Sequence, residues 1–185
     1  MQGPLGQILD FLISTLIGLY IILLMLRVIF GIVRADFYNP LSQTIVQLTN
    51  PPLQFLRRFI PPAGRVDLAA IVLIVLLKFI ELWLRLILFG VSVGPGIILL
   101  AAVRELLTLV VWIFIISLIV EVVMSWIQAG SGTRSQNPIG RLAADVNRPL
   151  LGPVRRMLPN TGMIDFSPML VLIGLYIVLI LVHSL

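Results

Sequence analysis

Apolar positions fall into four long runs, separated by stretches where apolar and polar residues alternate at near-helical spacing. The first run spans Leu9 to Val33, with Asp10 near its start and Arg27 near its end. The second spans Leu68 to Phe89 and carries Lys78, Glu81 and Arg85. The third spans Leu106 to Ile127 and carries Glu121, and the fourth runs from Phe166 to Val182. Each is close to the ~20 residues needed to cross a hydrocarbon core of about 30 Å. The pattern predicts an all-α integral membrane protein with four transmembrane helices at 9–33, 67–89, 106–127 and 166–183. The fourth run is the shortest and would lean on flanking residues to reach the interface.

The connecting segments sort by charge. Loop 34–66 holds Arg34, Arg57, Arg58 and Arg65, and loop 128–165 holds Arg134, Arg141, Arg148, Arg155 and Arg156. Loop 90–105 holds only Arg104, and the N-terminal tail has no Lys or Arg. Positive-inside topology therefore expects loops 34–66 and 128–165 to be cytoplasmic and both termini to face the periplasm or exterior, in a multi-pass membrane protein. With no basic n-region and no small-residue cleavage site, the first run is expected to be a span rather than a signal peptide.

The two basic loops repeat each other. Aligned without gaps at a shift of 98, residues 39–70 and 137–168 share nine identities: Asn39/Asn137, Pro40/Pro138, Pro51/Pro149, Leu53/Leu151, Arg57/Arg155, Arg58/Arg156, Pro61/Pro159, Gly64/Gly162 and Asp67/Asp165. Chance would give roughly two. The chain thus divides into repeats 1–105 and 106–185, each a span, a basic loop and a span, related by a pseudo-twofold along the membrane normal. Within each loop, Asn-Pro starts a helical segment. Leu41, Ile45 and Leu48 form its expected apolar face, and Pro51-Pro52 is expected to break it. A second segment places Leu53, Leu56, Phe59 and Ile60 beside Arg57 and Arg58 until Pro61-Pro62 ends it and Gly64 turns the chain. Two short amphipathic helices at the interface are expected, with a shallow re-entrant hairpin as the alternative.

Composition narrows the function. Of 185 residues, 59% are hydrophobic and 11% charged, against about 25% charged in soluble domains. Mean hydropathy is +1.12. A soluble enzyme and a disordered tail are excluded. There is no cysteine, and one histidine, His183, so no disulfide, metal or cofactor site is expected. The net charge of +5 lies mainly in the short loops, where topology accounts for it, and no nucleic-acid partner is expected.

The paired pattern NP…LTNPPL…RRFIPPAGRVD and NP…VNRPLL…RRMLPNTGMIDFSP, with ADFYNPLSQ after the first span, resembles the YggT family of small integral membrane proteins, in its proteobacterial two-repeat form. The resemblance covers essentially the whole chain. It implies a link to osmotic-stress tolerance and to cation uptake, with division and haem-attachment roles among other relatives. It implies no catalytic residue. Against the first half, the second carries four extra residues within GSGTRSQ.

Charges inside apolar spans cost about 2.5–3.5 kcal/mol each on insertion scales and need partners, water or a snorkelling route. Lys78, Glu81 and Arg85 are three and four apart, so they share a helix face and Glu81 can bridge both cations. They form either a self-neutralised stripe or an ion path. Arg27 lies seven residues before Arg34 and Glu121 seven before Gln128, at similar depth, and the two are expected to pair across the repeat interface. Arg57-Arg58 and Arg155-Arg156 can hold anionic lipid head groups or a partner. Asp67 and Asp165 are expected to cap the helices they open. No nucleophile–base constellation is visible, so no enzyme is expected. Function is expected to be a membrane scaffold or accessory subunit supporting envelope and osmotic-stress homeostasis, with a homo-oligomeric or membrane-protein partner. A small monovalent-cation transporter or channel is the alternative, and an assembly factor for membrane complexes or the division machinery a more distant one.

Overall fold

A computed structural model describes residues 3–62, 64, 66–131, 137–158 and 165–184, without side chains for 129–131. Pro159 and Gly162 of the repeat motif lie outside the described residues. Those described form six α-helices and no strand: α1 (Pro4–Val33), α2 (Pro40–Leu56), α3 (Leu68–Leu88), α4 (Pro95–Ser131), α5 (Pro138–Met157) and α6 (Ser167–His183). Residues Pro4–Val33 and Pro95–Gln128 are long and apolar enough to cross a membrane, and Ser167–His183 is a shorter apolar helix.

Local chemistry places the helix ends. Pro4, Pro40 and Pro138 occupy first-turn positions, where a missing N–H costs nothing. Asn39 and Asn137 cap α2 and α5 by accepting from the N–H groups of Leu41 and Ile139, at 3.0 Å in both. Asp67 caps α3 by accepting from Ala70 N–H at 3.3 Å, as expected. Asp165 reaches α6 from one residue before its cap, accepting from Ser167 N–H at 2.9 Å. Gly64 and Gly90 turn the chain at positive φ, 62° and 66°, where glycine pays no Cβ penalty.

Three expectations are corrected. First, α4 starts at Pro95 rather than near 106, so most of the expected outer loop 90–105 is helical. That expected loop includes Arg104, but helix propensity tolerates arginine and Pro95 sets the start. Second, α2 is one helix through Pro51 and Pro52, and α5 continues through Pro149 and Pro153. Prolines remove N–H donors from the preceding turn. In α2 the carbonyls that lose a donor are those of Gln47 and Leu48; just before them Thr49 Oγ1 donates to Ile45 O (2.6 Å) and Arg27 to Val46 O (3.2 Å), and the continued helix carries Leu53 into the core. Third, the buried stripe of α2 is Ser42, Ile45, Thr49 and Leu53, while Leu41 and Leu48 face outward.

α1 packs chiefly on α3, and α4 on both α5 and α6; α3 against α4 is the main contact between halves. α6 touches only α4 and α5 among the described helices. Charge contacts fix α1 and α3 as antiparallel: the start of α1 meets the end of α3 (Asp10–Arg85), and its end meets the start of α3 (Arg27–Asp67). The principal apolar cluster holds Leu24, Leu53 and Ala69, and a second holds Leu118, Leu151 and Val171. Leu24 corresponds to Leu118 at a shift of 94, and Leu53 to Leu151 at 98. All four are essentially inaccessible. The segments joining α1 to α2 (34–39) and α4 to α5 (132–137) are equally long, so the four extra residues lengthen the end of α4, and the buried positions of the two first helices match at a shift of 94.

Candidate functional site

The charged face of α3 is a ladder of five groups from three helices. Lys78 Nζ donates to Glu81 at 3.0 Å and also meets Glu105 of α4 at 2.7 Å. Arg85 lies 4.0 Å from Glu81 and donates to Asp10 of α1 at 2.7 Å. The order is Glu105–Lys78–Glu81–Arg85–Asp10, with alternating sign. Glu81, at the centre, is 2% exposed. The spacing of Lys78, Glu81 and Arg85 on one helix made the middle legible. Asp10 and Glu105 complete it from elements distant in sequence, and only a count of uncompensated cations could have signalled them.

At the loop end, each half builds a cluster around the same scaffold residues. In the first, Arg57 pairs with Asp67, and Arg27 stands 3.9 Å from that carboxylate. Arg27 also donates to Thr49 Oγ1 (2.7 Å) and Asn50 Oδ1 (2.9 Å) of α2. In the second, Arg155 pairs with Asp165 at 2.8 Å and stands 3.9 Å from Glu121. Glu121 accepts from Asn147 Nδ2 (2.8 Å), whose Oδ1 accepts from Ser117 (2.6 Å). Thr49 and Asn147 match at the shift of 98, and both are fully buried.

Arg27 and Glu121 match at the shift of 94. The expected Arg27–Glu121 pairing across the halves is therefore replaced by pairing within each half. The reason is register: each charge ends opposite the buried polar residue of its own loop helix. The scaffold is common, but the charge brought by the first helix is inverted. Arg27, Arg57 and Asp67 sum to +1, and Glu121, Arg155 and Asp165 to −1.

Burial alone would raise the Asp165 carboxyl. Hydrogen bonds from Ser167 and Arg155 more than offset that and hold it below its usual value. Arg58 and Arg156 are exposed, with no ion pair among the described residues. The halves are tied at the loop-helix starts. Asn39 Nδ2 donates to Pro138 O (2.8 Å), Asp36 N–H donates to Asp145 (3.0 Å), and Arg141 lies 3.5 Å from Asp36. These ties were not anticipated, because nothing in the repeat announces a contact between its own copies. Pro40, Pro51 and Pro149 act through the backbone of α2 and α5, not through polar contacts.

A family model described as CCB3/YggT matches this chain twice, at residues 6–88 and 100–185, one set of three helices in each match. Similar chains include an uncharacterized protein of Pseudomonas aeruginosa, 40% identical over 93% of this chain and 86% of its own. The uncharacterized protein YggT of Escherichia coli is 38% identical over 92% and 86%, and an uncharacterized protein of Haemophilus influenzae 35% over 86% and 83%. No solved structure matches.

Proposed function

The chain belongs to the CCB3/YggT family, and from that membership and the closed charge ladder we propose a four-span inner-membrane scaffold or accessory subunit. Both termini are periplasmic and the α2 and α5 regions cytoplasmic. The single observation that carries the reading is Glu81, sealed at 2% exposure between Lys78 and Arg85, which themselves end on Glu105 and Asp10. A conducting carboxylate needs water or a free face; this one is held by cations. Such a ladder fixes how α1, α3 and α4 pack in a medium with no hydrophobic drive between helices. The spanning role of α6 is supported by its outward Ile173, Tyr176, Ile177 and Ile180, which lipid would cover. Exposed Arg58 and Arg156 flank the loop helices and suit anionic head groups or a partner's acidic surface. As the process served, we assign envelope and osmotic-stress homeostasis, following the family resemblance.

Monovalent-cation passage is the second reading, favoured by a cleft of about 280 Å³ that Lys78, Glu105 and Thr108 line. Cation flux into proteoliposomes under an imposed potential separates the two. The scaffold reading expects no flux above empty vesicles, and photocrosslinkers at Arg58 and Arg156 that capture a second copy or another membrane protein. Flux that Glu81→Gln abolishes would replace it with transport. The absence of native cysteine makes single-cysteine labelling at Arg58 and Ser184 a direct test of topology.

A further inference from the structure

We infer that the loop end of the first half holds a binding site for an anionic phosphate group, in a cleft between α1 and α2. This inference does not rest on the scaffold reading. The cleft measures about 330 Å³ and is lined by Arg27, Arg34 and Arg57, by Asp67, and by Ser42. A single water needs roughly 10–15 Å³ on the same measure, so a phosphate and its hydration fit. Three guanidinium groups face one carboxylate, leaving a formal surplus of +2.

The unmet hydrogen-bonding capacity points the same way. Ser42 is 4% exposed, and its Oγ has no partner. The Arg57 Nε is equally buried and unpartnered, although the same guanidinium pairs with Asp67 through its NH2 group. Orphaned buried donors cost stability and are rare in folded proteins. Arg34 lines the cleft and has no ion pair among the described residues, and its φ of 57° is the left-handed cap that ends α1. One ligand resolves these features together: a multi-oxygen anion accepting from Arg57 Nε, the Arg34 guanidinium and the Ser42 hydroxyl. A planar donor fork suits phosphate oxygens better than a point charge does. The charge inversion between the halves confines this surplus to the first, since Glu121 stands where Arg27 does.

The phosphate can belong to a lipid head group or be free in solution, and the experiment separates these. Full-length protein is reconstituted in phosphatidylcholine nanodiscs and titrated with inorganic phosphate at constant ionic strength, using ³¹P line broadening. In parallel, native mass spectrometry scores retention of phosphatidylglycerol against phosphatidylcholine. Variants are Arg34→Gln and Ser42→Ala, neither of which breaks an ion pair. Saturable broadening that Arg34→Gln weakens about tenfold assigns free phosphate. Retention of phosphatidylglycerol over phosphatidylcholine, lost in both variants without broadening by phosphate, assigns a lipid head group. Ser42→Ala supplies an independent sign test: it leaves the unliganded protein as stable or more stable, while weakening ligand binding. No binding in either arm, or binding that both variants leave unchanged, overturns the site.

Discussion

Replacing Lys78 by methionine should destabilise the protein more than neutralising Glu81, although Glu81 is the more buried of the two. Lys78 reaches two carboxylates, at 3.0 and 2.7 Å. Lys78→Met leaves Glu81 with Arg85 alone, at 4.0 Å, beyond hydrogen-bonding distance. A buried charge stripped of its close partner typically costs about 3–5 kcal/mol. Glu81→Gln keeps the shape and an acceptor for Lys78, and both cations retain a carboxylate. Its cost is therefore that of one weakened charge-assisted bond, about 1–2 kcal/mol. The double variant Lys78→Met/Glu81→Leu removes both charges and should sit within about 1 kcal/mol of wild type, because exchanging a buried pair for apolar side chains is often neutral. With Glu81→Leu as the second single variant, which strips Lys78 and Arg85 of the same carboxylate, the cycle predicts a coupling energy of several kcal/mol, read from reversible unfolding in mixed micelles. If the double variant is no more stable than Lys78→Met, or Glu81→Gln is worse than Lys78→Met, the ladder is not what holds α3 in place.

Further outcomes can be checked on the same preparation. Arg27→Gln and Glu121→Gln should each destabilise, and their effects should add to within about 0.5 kcal/mol, since they share no partner; strong coupling would restore a pairing between the halves. Asn147→Leu should cost about 1–3 kcal/mol by stranding Ser117 and Glu121, whereas Asn50→Ala, whose side chain meets Arg27 near the surface of the cluster, should cost less. Leu53→Ala and Leu151→Ala should cost about 2–5 kcal/mol each in thermal unfolding, reflecting their equivalent burial at the foot of α2 and α5. Asp165 has a depressed folded value, so its contribution is present above the unfolded carboxylate range, near pH 3.9, and is lost as pH falls through the folded value. Because that side chain is 44% exposed, screening limits the effect to about 0.5 kcal/mol. Asp165→Asn should flatten the acid limb of a stability–pH curve by that amount, and an unchanged limb would contradict the argument.

The helical class and the long apolar helices were legible because apolar runs report on solvent directly. The starts of α2 and α5 were legible for a similar reason: Asn-Pro carries its own capping chemistry within two residues. Less could be read where two local rules competed. Pro51-Pro52 argued for a break, yet Leu53 beyond them lies in the core, and burying it keeps the helix continuous. The expected outer loop includes Arg104, yet that residue lies within α4, and its neighbour Glu105 meets Lys78.

What the sequence determined by itself was local or repeated: helix chemistry, the duplicated loop with its Arg57/Arg155 and Asp67/Asp165 pairs, and the shared face of Lys78, Glu81 and Arg85. Tertiary structure decided the partners. It gave Arg27 to Thr49 and Asp67, Glu121 to Asn147 and Arg155, and Asp10 and Glu105 to the ends of the ladder. The physical reason is that a charge in an apolar span must be compensated, but the compensating group is chosen by how helices cross. A four-residue change in register, about one helical turn, is enough to put a residue opposite a different neighbour.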